Sequence, residues 1–146
     1  MITEIIQKWE ENKLKLEEYF KTTKQEEYQS YEDIVRKIFE ICINVSDAEY
    51  DNFDLEKLYV IDDGDYQGTQ IFILPKDVYQ PTAEEYLVTD TYYGSCSGCD
   101  TLQAICDYNE EAIPTAEQLK DYMTLALHLV QKMHWLSNDS DENPSY

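Results

Sequence analysis

Glu85-Tyr86-Leu87-Val88-Thr89-Asp90-Thr91-Tyr92-Tyr93-Gly94-Ser95-Cys96-Ser97-Gly98-Cys99-Asp100-Thr101-Leu102 decides the class of fold. Through Tyr93 it is rich in β-branched and aromatic residues and reads as a strand. At Gly94 it turns, gathers Ser95, Ser97 and Asp100 as capping residues, and near Gly98 or Cys99 enters a helix carrying Leu102, Ala104, Ile105, Cys106 and Tyr108. Two of the 4 glycines and two of the 4 cysteines lie in this one turn. Gly94 and Gly98 allow positive φ or a close approach of backbone.

Upstream, Leu58-Tyr59-Val60-Ile61 and Thr69-Gln70-Ile71-Phe72-Ile73-Leu74 flank an Asp- and Gly-rich turn and predict a hairpin that Pro75 ends. Before it, Ile2, Ile5, Ile6, Trp9, Leu16, Tyr19 and Phe20 recur at helical spacing. A polar link, Lys21 to Gln29, leads to Ser30-Tyr31-Glu32-Asp33, which has the form of a capping box. The helix it starts carries Ile34, Val35, Ile38, Phe39, Ile41, Cys42 and Val45 on one side, with Cys42 as a small core residue. Downstream, Thr115 and Gln118 make a second capping box, and the helix they open has a stripe of Leu119, Tyr122, Met123, Ala126, Leu127, Val130 and Met133. The expected fold is α+β: a three-stranded or slightly larger antiparallel sheet with two N-terminal and two C-terminal helices packed on it. One domain is expected over 1–136, followed by a disordered acidic tail over 137–146.

Charge narrows the partners. The 146 residues hold 31 acids against 11 Lys plus Arg, for a formal charge of −20, and Arg36 is the only arginine. Binding to phosphates depends on cation contacts, so direct binding of nucleic acid or of an anionic membrane is disfavoured and a basic protein surface is favoured. No apolar run approaches the ~18 residues of a membrane span, and charges interrupt the N-terminal apolar positions, so a soluble cytoplasmic protein with reduced thiols is expected.

Two places invite chemistry. Between Ser46 and Asp65 the carboxylates Asp47, Glu49, Asp51, Asp54, Glu56, Asp62, Asp63 and Asp65 interleave with Tyr50, Phe53, Leu55 and Leu58. This reads either as a solvated connection with aromatic anchors or as an acidic and aromatic face offered to a cationic groove. A calcium loop fails, because Asp62-Asp63-Gly64-Asp65 lacks the alternating ligand spacing and the late bidentate Glu. The second place is the turn itself. A thiol at a helix start feels the positive end of the helix dipole, which favours thiolate, and Cys96 is placed for that. Cys96 and Cys99 admit a redox pair or, with His128, His134 or distant carboxylates, a zinc ion. Cys106 lies about 10 Å along the helix from Cys99 and cannot share such a sphere. A turn that merely packs strand on helix needs neither, and no cofactor is expected.

The blocks Asp65-Tyr66-Gln67-Gly68 and Tyr93-Gly94-Ser95-Cys96-Ser97-Gly98-Cys99-Asp100-Thr101-Leu102-Gln103 resemble a group of uncharacterised small proteins of bacteria and their phages, over roughly residues 58 to 109. The resemblance implies that the hairpin strand and the glycine turn lie side by side, with Asp65 and Gln67 facing Cys96. It carries no activity.

Two functions are therefore expected. The first is an acidic interaction protein, of the kind phages encode, that inhibits a basic nucleic-acid-binding host defence protein by occupying its nucleic-acid surface. Anti-CRISPR proteins and other inhibitors that mimic DNA are similar in size and charge, though no motif of theirs is present. Asp47, Glu49, Asp51, Asp54, Asp62, Asp63, Glu84 and Glu85 are the residues expected to meet that partner. The alternative is a small-ligand, metal or thiol site at the turn, built from Asp65, Gln67, Ser95, Cys96, Cys99 and Asp100. An enzyme is the weaker expectation, because a cysteine nucleophile needs a nearby base and neither histidine sits in a recognisable motif.

Overall fold

A computed structural model describes residues 2–64, 67–94 and 101–137. Among these residues four α-helices pack on one face of a four-stranded antiparallel sheet. Helix α1 spans Ile2–Thr22 and buries Ile5, Trp9, Leu16 and Phe20. Helix α2, Tyr31–Lys37, starts at the expected capping box: Ser30 Oγ accepts from Asp33 N at 3.0 Å and Asp33 Oδ2 accepts from Ser30 N at 3.3 Å.

Beyond Lys37 the expected uniform helix gives way to a π-helical stretch, Ile38–Ile43, that closes with Asn44 N donating to Phe39 O at 2.7 Å. Buried pairs Ile34 and Val35, Ile38 and Phe39, Cys42 and Ile43 recur at every fourth residue. An α-helix of about 3.6 residues per turn would wind such a series off its neighbour, whereas a wider turn keeps it facing α1. Asn12, buried on α1, donates to Cys42 O at 3.2 Å, and Cys42 Sγ donates to Asn12 O at 3.6 Å. The wider turn also leaves Val45, expected in the stripe, 44% exposed.

The stretch expected to be a polar link is a structural knot. It folds as a 3₁₀ turn, Gln25–Tyr28, whose Gln25 and Tyr28 side chains are fully buried. Hydrophilicity alone mistook a satisfied amide for a solvated one.

The sheet runs β1 (Tyr59–Asp62), β2 (Gly68–Pro75), β3 (Tyr86–Tyr93) and β4 (His134–Trp135), each antiparallel to the next. In the hairpin turn a Cβ on Gly64 would collide with Gln67 O, and one on Gly68 would come within 2.8 Å of Gly64 Cα. Both positions therefore need glycine through close approach, since no described glycine has positive φ. Strand alternation sends Phe72, Leu74 and Leu87 into the core with the helices. Tyr59, Ile61, Ile71, Ile73, Val88 and Tyr92 lie on the opposite face and are absent from the core cluster.

Helix α3 is described over Thr101–Cys106, and its expected start falls outside the described residues. It stops where Asp107 and Tyr108 adopt left-handed φ of 51° and 64°. Its last carbonyls, of Ile105 and Cys106, accept from Gln118 Nε2 at 2.9 and 3.2 Å. The same Gln118 completes the capping box of α4 (Ala116–Gln131), where Thr115 Oγ1 accepts from Gln118 N and Gln118 Oε1 from Thr115 N. On α4, Leu125 and Leu129 join Tyr122, Ala126 and Val130 in the core, so its buried face is wider than the stripe read from the sequence. Thr89 Oγ1 donates to Leu129 O at 2.7 Å and ties β3 to that helix. Ser137 N donates to Ala83 O at 3.2 Å, so the described chain stays attached one residue past the expected domain end, and 138–146 lie outside the described residues.

Candidate functional site

The register pairs Gly68 with Tyr93, so the start of β2 lies beside the end of β3, where the glycine turn leaves. The start of β2 thus lies beside Tyr93 and Gly94, and the rest of the turn, 95–100, falls outside the described residues. Gln67 is exposed at this corner, whereas Asp65, Ser95, Cys96, Cys99 and Asp100 fall outside the described residues, and with them the facing of Asp65 on Cys96. Among the described residues no group of three or more His, Cys, Asp or Glu is arranged to hold a metal ion. His128 and His134 are both exposed. The described thiols are buried, and burial pushes Cys42 up to about 12 and raises Cys106. Thiols held protonated in this way are poor nucleophiles.

What the described corner does contain is a well-satisfied carboxylate. Asp62 Oδ1 accepts from the Tyr93 hydroxyl at 2.5 Å and from Gly64 N at 3.1 Å, while Oδ2 accepts from Gln70 Nε2 at 3.1 Å. The Tyr93 hydrogen bond above all, then those of Gln70 and Gly64, hold its carboxyl below the ordinary 3.8. A depressed folded pKa lends stability that is fully present above the unfolded value and is lost as pH falls through the folded one. In a carbon-detected NMR titration Asp62 should have a midpoint below that of an unstructured aspartate, and Tyr93→Phe should move it upward. An unchanged midpoint in Tyr93→Phe would show that the hydroxyl does not hold this carboxylate.

The acids expected to meet a partner separate into two groups. Asp54 N donates to Pro75 O, Asp77 N to Asn52 O and Lys76 N to Glu85 O. These bonds bring the segment bearing Asp47, Glu49, Asp51 and Asp54 beside Glu84 and Glu85, at the end of the sheet where β2 finishes. Asp62 and Asp63 lie at the other end, by the hairpin turn. The eight residues of β2 separate the two groups by about 23 Å at ~3.3 Å per residue.

Several of these carboxylates are engaged in the fold. Asp54 caps Glu56 N, Asp63 accepts from Thr69 N at 2.7 Å and Glu85 accepts from Thr82 N at 3.0 Å. Asp47, Glu49 and Glu84 are exposed, and their carboxylates have no hydrogen bond or ion pair among the described residues. Phe53, at 3% exposure, is the aromatic anchor of the segment, while Tyr50, at 65%, faces solvent.

Cations are placed elsewhere. Lys8, Lys13, Lys15, Lys21, Lys24, Arg36 and Lys37 all belong to the first two helices and their link. Between Leu58 and Leu119 the only basic residue is Lys76, whose Nζ sits 5.6 Å from the Phe53 ring centre and 5.9 Å from that of Trp135.

The run Ile71-Phe72-Ile73-Leu74 is apolar on both alternating sets, which a sheet covered on one face does not require. Compared with models of protein families, with curated proteins and with solved structures, the chain matches none. No described helix is long and apolar enough to cross a membrane.

Proposed function

We infer that this is an acidic interaction protein that covers the nucleic-acid-binding surface of a basic partner, in the manner of a phage-encoded inhibitor of a host defence protein. The observation that carries the reading is the segregation of charge. A chain of formal charge −20 keeps most of its cations on its N-terminal helices, and between Leu58 and Leu119 it sets a single lysine against Asp62, Asp63, Asp77, Glu84, Glu85, Asp90 and further acids. Such a field steers a basic cleft towards the sheet side and speeds encounter, and it repels nucleic acid competing for that cleft. Exposed tyrosines add rigid contact area at low entropic cost.

Affinity capture from a phage-infected host, followed by displacement with duplex DNA, tests this reading. The expected partners are basic nucleic-acid-binding proteins, released by DNA and bound roughly tenfold or more weakly as salt rises to physiological strength. Partners that are acidic or purely apolar, with affinity indifferent to salt, would sink it.

The alternative, a small-ligand, metal or thiol site with Cys96 as its key residue, is favoured by one observation: Gln67 and the Asp62–Tyr93 pair sit at the strand ends from which the turn departs. Cys96→Ser separates the two readings. Unchanged partner binding supports the inhibitor, while loss of a bound metal or of a turnover supports the site.

A further inference from the structure

We propose that the uncovered face of the sheet, centred on Tyr59, Ile61, Ile71, Ile73 and Tyr92, is the surface on which a basic protein docks, with its own apolar centre and a margin of lysine or arginine. The proposal rests on the inhibitor reading and gives it a location. The described α-helices pack on the other face, where Phe72, Leu74 and Leu87 join the core cluster. A half-covered antiparallel sheet ordinarily presents polar side chains to water. Here Tyr59 is 63% exposed, Tyr92 55% and Ile61 39%, over the half-buried Ile71 and Ile73. Strand pairing makes the patch continuous, with Tyr59 opposite Ile73, Ile61 opposite Ile71 and Thr69 opposite Tyr92. A contiguous apolar surface with a charged rim and tyrosines within it has the anatomy of a protein interface.

Charge selects the occupant. Asp63 follows Ile61 on this face at the hairpin end, Asp54, Glu84 and Glu85 lie at the end of the sheet where β2 finishes, and Asp90 lies on the same face opposite Ile71. Of the lysines near it, Lys132 is met by Asp90 at 3.7 Å and Lys57 by Asp54 at 4.0 Å, while Lys76 lies over the Phe53 and Trp135 rings. A second copy of a chain carrying −20 would bring like charge against this rim, whereas a basic margin completes it. The groove between α1 and α4, about 350 Å³ and lined by Trp9, Leu14 and Met123, sets Lys13 and Lys120 against Glu10 and Glu17, with Lys13 paired to Glu10 at 2.8 Å, and so has no excess of acids to select a basic partner.

The test adds a synthetic peptide of alternating Lys and Val to the full, isotope-labelled chain, with oligolysine of equal charge as the comparison. The Lys-Val peptide should shift the amides of residues 59–62, 70–73 and 88–92 in NMR spectra. Tyr59→Ser combined with Tyr92→Ser should weaken it about tenfold while leaving oligolysine, which reads carboxylates alone, unaffected. Leu14→Ser, at a leucine 71% exposed in the helical groove, should change neither. If the double variant melts early, Tyr92→Ser alone serves. Equal affinity for both peptides, shifts confined to the helical groove, or a dimer that seals the face would overturn the docking surface. In each of those cases salt-sensitive oligolysine binding would leave the inhibitor reading standing. Absence of salt-sensitive binding by either peptide strikes both.

Discussion

Gln25→Leu is expected to lower the unfolding free energy by about 3–5 kcal/mol, because it strands two polar groups at once, the Tyr122 hydroxyl and Asn109 O. The side chain is fully buried and satisfied. Its Oε1 accepts from the Tyr122 hydroxyl at 2.7 Å, and its Nε2 donates to Asn109 O at 2.9 Å and Ala112 O at 3.3 Å. Leucine meets none of them, so the Tyr122 hydroxyl and Asn109 O lose their partner while Ala112 O keeps the bond from the residue 25 amide. Each group left unpaired costs about 1–3 kcal/mol, so the sum is a large share of the roughly 5–15 kcal/mol that holds an ordinary domain together. The loss is also topological. Gln25 joins the turn after α1 to the loop after α3 and to α4, and the main chain repeats the tie through Gln25 N to Ala112 O and Glu26 N to Glu110 O. Urea unfolding followed by circular dichroism measures the cost. The Gln25→Leu, Tyr122→Phe pair should cost less than the sum of its parts, because the second change removes a donor that the first has orphaned. A loss under about 1 kcal/mol with strict additivity would mean that the amide does not carry the junction.

The second large effect concerns the acidic segment. Phe53→Ala should cost about 3–4 kcal/mol through the cavity it leaves. The ring is 3% exposed, meets Phe39 edge-on at 5.3 Å and stacks on Trp135 at 6.0 Å. Its backbone is clamped as well: Phe53 N donates to Asn44 Oδ1 at 2.8 Å, and Asn44 Nδ2 donates to Phe53 O at 2.9 Å. Loss of the ring frees the residues around it before it unfolds the rest, so hydrogen exchange at the Asp54 and Asp77 amides should accelerate more than at α4. Asp51 and Asp54 would then lose their fixed place at one end of the sheet. Uniform acceleration across the molecule would show instead that the segment has no local stability of its own.

Where an element is decided by its own residues, it is legible in the chain. The stripe of α1, the Ser30 and Thr115 capping boxes, the hairpin ended by Pro75 and the core place of Cys42 follow from local periodicity and local hydrogen bonding, which a sequence displays directly. The α+β class follows from their order. Strand β4 was not legible, because His134 and Trp135 have no period of their own and form a strand only by meeting Val88 and Leu87. Gln25 gives no sign of burial, since its partners lie more than eighty residues away in the chain. The widened turn after Lys37 arises because α1 demands a buried pair at every fourth position. At the candidate site, the excess of acids was plain from counting, whereas their separation to two ends of the sheet required the register of β2. Composition and local pattern thus determined the elements, the class and the sign of the surface. Tertiary contact decided which polar groups are buried, which face of the sheet stays open and where the carboxylates gather, because those depend on pairings between residues far apart in the chain.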